Sequence, residues 1–270
     1  MASGWRRAMT VAEVLGASAT GDDEMQFAIG RELHGAFGGA FGGAVAACML
    51  VTARRAAPER VPTAIDVRFL RGLPAGTATA RSRVLQAGRS ISVIDVDVTG
   101  PDERPAARAT VSLVDRSALQ SLDEPQGAPS IGRYDDAKPW AEMPGVEIPI
   151  LATLAPRILG RTTDGIATAL RVPWDPDAKS AAEACCFAAD LCVGPPVAAA
   201  CIDRWIPHPN PDLSLRFAVS PVFEREVAGL GTVTGIAGGV AAVSITVCSA
   251  GTIAATGVST SLLLATKAPT

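Results

Sequence analysis

Aromatic side chains make up only 4% of this 270-residue chain and charged side chains only 19%. The first scarcity leaves few platforms on which bases or sugars could stack. The second, with a formal net charge of −3 and no basic cluster, leaves no electrostatic footprint for nucleic acid. Six cysteines (Cys48, Cys185, Cys186, Cys192, Cys201 and Cys248) lack the paired short spacing of a structural metal site. The chain is also too large to depend on a disulfide framework. These cysteines read as small buried hydrophobes in a reducing compartment, the cytoplasm. There is no Walker loop, dinucleotide fingerprint or serine-hydrolase elbow, so neither a cofactor nor a metal is expected. Arg6 and Arg7 precede only a short apolar patch, which does not read as a signal peptide.

What the chain does have is apolar material, 48% of its residues. Two long stretches carry no charge: Gly35 to Ala53 and Val227 to Thr266. The first approaches bilayer-spanning length but is largely Gly and Ala, which gain little by leaving water. The second alternates apolar residues with Ser, Thr and Gly, as in Ala241-Ala-Val-Ser-Ile-Thr-Val-Cys248, a pattern of buried strands. Membrane insertion is therefore not expected.

The chain also repeats itself. Ile65-Asp-Val-Arg-Phe69 matches Leu213-Ser-Leu-Arg-Phe217 at an offset of 213 − 65 = 148 residues. Pro105-Ala-Ala-Arg-Ala-Thr-Val111 matches Ile253-Ala-Ala-Thr-Gly-Val-Ser259 at 253 − 105 = 148. Gly88-Arg-Ser-Ile-Ser-Val93 resembles Gly238-Gly-Val-Ala-Ala-Val243 at 238 − 88 = 150. Three matches in one order and at nearly one offset point to a duplication.

Each copy reads as a strand, a helix and then four strands. In the first copy the strand runs from Glu24 to Leu33 and the helix from Gly42 to about Ala57. Strands follow at Thr63–Leu70, Gly76–Ala87, Ser90–Thr99 and Ala106–Val114. In the second, Ile166–Trp174 opens and Ala181–Cys192 is the helical region, with any continuation to Cys201 broken at Pro195-Pro196. Strands follow at Pro211–Ala218, Glu226–Ile236, Gly239–Cys248 and Thr252–Ala265. The first helix is apolar on every side as far as Arg54, so it must be wrapped by other structure. A curved antiparallel sheet around a central helix achieves that, which makes the chain α+β. Residues 1–116 form one domain and 164–270 the other. Residues 117–163, rich in proline, read as a linker over the surface.

With this plan in view, the chain resembles the double-hotdog acyl-CoA thioesterases, the type II acyl-CoA thioesterases of the thioesterase-like superfamily. The resemblance rests on Phe41-Gly-Gly-Ala-Val, Val67-Arg-Phe-Leu-Arg71 and Gly88-Arg-Ser-Ile-Ser92 in the first half. In the second half it rests on Ala189-Asp-Leu and Asp212-Leu-Ser-Leu-Arg-Phe217. It implies two fused hotdog domains and an acyl-CoA substrate. It also implies a water held by an Asp on the second helix, a Thr or Ser on the following strand and a Gln on the last strand. The Asp position falls on Asp190, in the apolar stretch Phe187-Ala-Ala-Asp-Leu-Cys-Val. A carboxylate there is costly unless paired or used, and burial would raise its pKa toward that of a base. Its alternative is a capping Asp at a helix end. Asn210 stands where Thr or Ser is usual and Ser259 where Gln is usual. Asn210 also reads as a turn former in His208-Pro-Asn-Pro-Asp212, and Ser259 as a plain strand serine.

The run Gly35-Ala-Phe-Gly-Gly-Ala-Phe-Gly-Gly43 offers backbone amides at a helix start, suited to a thioester carbonyl or an anion. Gly42 and Gly43 are the substrate-binding candidates there; close packing of the helix is the other reason for glycine at these positions. His34, just before the run, is a further candidate, as are Arg71 and Arg89 for CoA phosphates. A packed histidine and solvated arginines are the alternatives. Three functions fit: thioester hydrolysis by a water oriented by Asp190, ligand binding without hydrolysis, or a hydratase or dehydratase on the same fold. The last draws on the loose match of Asp203-Arg-Trp-Ile-Pro-His208 to a hydration motif. Association to a homo-oligomer is compatible with any of them.

Overall fold

Inward and outward side chains alternate along the strands of the first half as the sequence pattern implies. In Ile91–Thr99, Ser92, Ile94, Val96 and Val98 are buried, while the residues between them are more exposed. The computed structural model describes residues 9–120, 127–129, 131–140, 146–162, 165–177, 180–201, 206–218 and 223–265. Its first half contains α1 (Val11–Val14), β1 (Ala17–Ala19), β2 (Glu24–Ile29), α2 (Gly42–Ala56) and β3 (Val61–Phe69). β4 (Gly76–Ala87), β5 (Ile91–Thr99) and β6 (Pro105–Val114) complete it. A connector follows with β7 (Lys138–Pro139), α3 (Ile150–Leu154) and β8 (Arg157–Arg161). The second half holds β9 (Ile166–Arg171), α4 (Ala181–Ala200), β10 (Asp212–Phe217), β11 (Glu226–Ala237), β12 (Val240–Ser249) and β13 (Thr252–Leu262).

The thirteen strands of the described residues form one antiparallel sheet, in the order β1-β2-β4-β5-β6-β3-β10-β13-β12-β11-β9-β8-β7. The run β2-β4-β5-β6-β3 is mirrored by β9-β11-β12-β13-β10, so the two halves share one topology. They join where β3 pairs with β10, with Ser214 opposite Asp66. The sequence repeat predicts that partnership, since 214 − 66 = 148. Residues equivalent by duplication face each other only at a local dyad, which therefore passes between β3 and β10. Two exposed ion pairs flank it, Arg68 with Asp212 at 3.2 Å and Arg216 with Asp66 at 3.0 Å.

The sheet wraps two helices that lie against each other. Ala44, Val45, Ala46, Ala47, Cys48, Met49, Leu50 and Ala53 of α2 are all buried, which accounts for a helix with no polar face. The two helices run antiparallel, because the start of α2 meets the middle of α4 and its end meets the start of α4. Glycine and alanine make that approach close. A Cβ on Gly43 would sit 2.6 Å from the Cys186 carbonyl oxygen. On the far side of α4, a Cβ on Gly231 of β11 would sit 2.1 Å from the Cys192 carbonyl oxygen. The large side chains fill the remaining space, with the Trp174 and Phe187 rings edge-on at 5.5 Å between centroids.

Two expectations are corrected. No break occurs at Pro195-Pro196, and α4 continues to Ala200 with both prolines inside it. Prolines remove the amides that would have bonded the Leu191 and Cys192 carbonyls. That loss is borne near the end of a helix whose preceding turns are packed on all sides. The connector is also more than a surface linker. Its β8 pairs with β9 and extends the sheet, and Ile131 and Leu159 pack on Ala167, Leu230 and Cys248. Trp140, Ile148 and Leu151 pack against the main core. The apolar run Ile148-Pro-Ile-Leu-Ala-Thr-Leu154 within the prolines supplies the reason for docking. Part of the connector, residues 121–126, 130, 141–145 and 163, lies outside the described residues, as do Arg6 and Arg7.

The packing of α4 on β11 has a direct test. Replacing Gly231 by Ala forces the added methyl against helix backbone and is expected to lower stability by about 1–3 kcal/mol. Gly235, further along the same strand, has open space where its Cβ would be. Gly235→Ala is expected to stay within about 0.5 kcal/mol of the wild type. Urea unfolding of the two variants measures the difference.

Candidate functional site

The start of α2 has no cap of its own. Its N-cap residue is Phe41, whose side chain cannot accept a hydrogen bond from the first-turn amides. The missing acceptor comes from the other helix. Asp190, buried on α4, accepts a hydrogen bond from the Gly43 amide at 2.9 Å through Oδ2. Oδ1 accepts one from Asn210 Nδ2 at 2.8 Å. The Gly42 amide acts on the carboxylate in the same sense. A Cβ on Gly42 would lie 2.9 Å from Asp190 Oδ1, so a side chain there would displace the carboxylate.

Burial pushes the Asp190 carboxyl above the usual carboxylate range, against the opposing pull of Asn210 and the two glycine amides. The positive end of the α2 dipole acts in the direction of those amides. Each carboxylate oxygen can accept more than one hydrogen bond, so acceptor capacity remains for a water or a ligand group.

Asn210 reaches Asp190 from an unusual segment, Pro207-His-Pro-Asn-Pro-Asp212, in which every second residue is proline. Prolines lack amide hydrogens, so this stretch accepts backbone hydrogen bonds and donates few. Leu264 and Leu262 donate to the Pro207 and Pro209 carbonyls, and Phe69 donates to that of Pro211. Proline also holds the residue before it in an extended conformation. His208 and Asn210 each precede one, and both are presented on a stiff rail. His208 Nδ1 lies 2.6 Å from the Ile206 carbonyl, so this nitrogen carries the proton.

Asp190, Asn210 and His208 line one cavity of about 400 Å³ at the junction of the two halves. Gly42 is also in its wall, and Gly43 stands directly behind Asp190. The other faces are apolar and include Phe41, Phe69, Leu191 and Leu262. Asp190, Asn210, Gly42 and Gly43 are thus brought together from three separate stretches of chain.

Three candidates stand elsewhere, and a fourth is committed to other partners. The Ser259 hydroxyl donates to the Asp212 carbonyl at 2.7 Å and is not in the cavity wall; on the same strand Leu262 is. His34 is also outside the wall. Its carbonyl accepts from the Ile150 amide, and its Nε2 is buried with no hydrogen-bond partner among the described residues. Arg89 is exposed on the turn between β4 and β5, away from the cavity lining. Arg71 lines the cavity, but its guanidinium is held by Asp102 and the Arg104 and Pro105 carbonyls. This pairing ties the β6 turn to the end of β3, which makes Arg71 a poor phosphate ligand.

His208 went unassigned in the sequence because the hydration-motif match that contains it is loose. Asp203, Arg204 and Trp205 of that match lie outside the described residues. Glu183 also gave no signal, although it is fully buried and pairs with Arg54 where the end of α2 meets the start of α4. Burial pushes its carboxyl up while Arg54 pulls it down.

No cluster among the described residues could hold a metal ion. The five buried cysteines are not nucleophiles in waiting. Burial pushes the Cys192 thiol up to about 12 and that of Cys248 up to about 11. Helix α4 is long and apolar enough to cross a membrane, but most of it is buried inside the protein.

Residues 31–114 match the acyl-CoA thioesterase N-terminal domain family. The matched segment contains α2 with Gly42 and Gly43. Solved structures extend the fold over both halves. A conserved protein of unknown function with a hotdog fold from Alicyclobacillus acidocaldarius superposes with a TM-score of 0.77 at 21% identity, covering 95% of this chain and 98% of its own. A TesB protein from Mycobacterium avium subspecies paratuberculosis gives 0.73 at 18% identity, over 94% and 98%. An acyl-CoA thioesterase II from Mycobacterium marinum gives 0.73 at 15% identity, over 95% and 99%. At such identities the likeness establishes the double-hotdog fold and leaves the reaction to be argued from the site. Among curated proteins none matches the chain by sequence.

The buried carboxylate makes a prediction about stability and pH. Because the folded-state pKa of Asp190 is raised, its contribution to stability is fully present below the unfolded pKa and is lost as pH rises through the folded pKa. Asp190→Asn does not titrate and keeps an oxygen for the Gly43 amide. The stability of this variant relative to wild type is therefore expected to increase as pH rises through that window. Urea midpoints for both proteins across an acid-to-neutral series check this; a relative stability that falls with pH would show that the amides, and not burial, control the group.

Proposed function

We propose that the protein hydrolyses an acyl-CoA thioester, with Asp190 as the base that orients and deprotonates the attacking water. The observation that carries this reading is a buried carboxylate facing an apolar cavity at the start of α2, beside Asn210. A water donating to Asp190 and accepting from or donating to the Asn210 amide group would be fixed in place. Attack on the thioester carbonyl forms the C–O bond and moves the water proton to Asp190. Collapse of the tetrahedral intermediate then breaks the C–S bond, and the proton passes to the departing thiolate, giving the free acid and CoA.

The electrostatics suit these steps. Negative charge leaves Asp190 as the proton arrives and appears on the thioester oxygen nearby. The positive end of α2 faces both positions, so charge is moved within one favourable field. The Gly42 and Gly43 amides serve the carboxylate in the free protein. Their part in catalysis is thus to hold Asp190 and supply that field, and not to stand open as an oxyanion hole.

One observation favours ligand binding without hydrolysis. Leu262 stands in the cavity wall where a polar group from the last strand could have helped hold a water, and Ser259 is turned away. Release of free CoA from acyl-CoAs separates the two readings. Positioned proton transfer contributes about 10²–10⁴-fold, so Asp190→Asn is expected to lower kcat by that order while Ser259→Ala stays within about twofold. With Asp190 as base, kcat/KM should fall as pH drops through a limb above the ordinary carboxylate range. Turnover unchanged in Asp190→Asn would move the chemistry elsewhere. Binding without turnover of any acyl-CoA would establish the non-hydrolytic reading.

A further inference from the structure

His208 and Asn210 stand on the same side of one stretch of chain. Leu264 and Leu262, two residues apart, donate to the Pro207 and Pro209 carbonyls, also two apart, which is the pattern of paired extended strands. Alternate residues of an extended chain share a face, so the His208 side chain points where that of Asn210 does. Helix α4 has a matching spacing. Asn210 bonds to Asp190, and His208 Nε2 lies beside Gly194, where an added Cβ would stand 3.5 Å away. Four residues of helix rise about 6 Å, and two residues of extended chain cover about 6.6 Å. The two segments therefore meet at two successive points, and all four residues line the cavity.

The second point lies toward the rim. Phe37, on the loop before α2, meets the His208 ring edge-on with centroids 6.4 Å apart. It is 50% exposed, whereas Asp190 is 8% exposed. That loop is closed by the Gly35 amide on the Gly39 carbonyl at 2.9 Å and seated by the Ala40 amide on the Leu73 carbonyl at 2.8 Å. His208 Nδ1 donates to the Ile206 carbonyl, which makes Nε2 of the neutral ring an acceptor.

An acyl-CoA bound with its carbonyl at Asp190 must leave its charged nucleotide outside so apolar a cavity. Its thiol arm then runs toward the rim. A sulfur and two methylenes separate the carbonyl from the first amide of that arm, a span comparable to one turn of helix. We propose that His208 and Gly194 form the subsite for this arm, with His208 Nε2 accepting the amide N–H, Gly194 leaving room for it and Phe37 covering the methylenes. The inference deepens the hydrolase reading and rests on it for the place of the carbonyl.

The test compares two hexanoyl thioesters. One is the N-acetylcysteamine ester, which keeps the first amide of the arm. The other is its ketone analogue, in which a methylene replaces the N–H and nothing else changes. A hydrogen bond of this kind contributes a factor of about three to ten, so wild type is expected to favour the amide ester by that ratio in kcat/KM. His208→Phe keeps a ring beside Phe37 and removes the acceptor, and should bring the ratio close to one. His208→Gln, which can present an acceptor oxygen, should restore part of it. Gly194→Ala sets a methyl in ordinary contact with Nε2 where the amide would approach, and should also lower the ratio. Alanine favours a helix more than glycine does, so this variant keeps the test open if the His208 variants fold poorly. A wild-type ratio near one, or a ratio unmoved in both His208→Phe and Gly194→Ala, would overturn the inference while leaving hydrolysis intact. If wild type hydrolyses neither ester, the reaction assignment fails instead. The dissociation constants of the two intact esters then decide the inference, with the same ratio required.

Discussion

The structure turns on one contact, the carboxylate of Asp190 serving as the cap that α2 lacks. A helix start leaves amides without intrahelical partners, and in α2 that of Gly43 is buried. Phe41 precedes them and offers nothing. The acceptor has to arrive from α4, which requires the two helices to touch with no side chain between them at that point. Gly42 and Gly43 meet the requirement, and the price is two residues of poor helix propensity at the first turn. Neighbouring packing follows from the same demand, including the alanine-rich face of α2 and the glycines on β11 that let α4 lie close.

The duplication gives both halves the same sheet and the same central helix, and the dyad between β3 and β10 would permit two equivalent sites. The helix pair breaks that equivalence. At the start of α2 it presents a carboxylate held by amides at the edge of a cavity. At the start of α4 it presents Glu183 bound to Arg54, outside the cavity wall. Burial raises both carboxyls, but Glu183 is paired with Arg54 away from the cavity and joins the helices, whereas Asp190 faces the cavity. The difference in partner, and not in fold, separates a candidate reactive group from a structural one.

Strand periodicity and the repeat carried most of the fold in the sequence. The offset of 148 residues anticipated the pairing of Asp66 with Ser214, because a duplicated strand that meets its own copy must do so at a dyad. Asp190 stood out as the one charge in the apolar stretch Phe187-Ala-Ala-Asp-Leu-Cys-Val. Other features were hidden for identifiable reasons. The prolines of α4 suggested a break because propensity speaks for an isolated helix, whereas this one is held by packing on nearly every side. The prolines of the connector masked its apolar run, which docks as core. Ser259 could be placed on the last strand but not on a face of it. Its hydroxyl turns to the Asp212 carbonyl, and the cavity is reached from Leu262 three residues later. Arg71 looked like a phosphate ligand until Asp102 and two carbonyls appeared around it, partners that are distant in sequence.

That Asp190 caps a helix does not argue against its acting on a water. A cap needs one lone pair for each amide, and a carboxylate has more than the Gly43 and Asn210 contacts consume. The forces on its pKa are opposed: burial favours the protonated form, while the amides and the helix dipole favour the charged one. A carboxylate in apolar surroundings without those donors would stay protonated and be unable to accept a proton. One with the donors but open to water would be too weak a base. Asp190 lies between these limits, raised by burial and restrained by the cap. The same hydrogen bonds that hold α2 and α4 together would therefore tune the group for the proton transfer proposed for it, so the structural and chemical readings of this residue describe one arrangement.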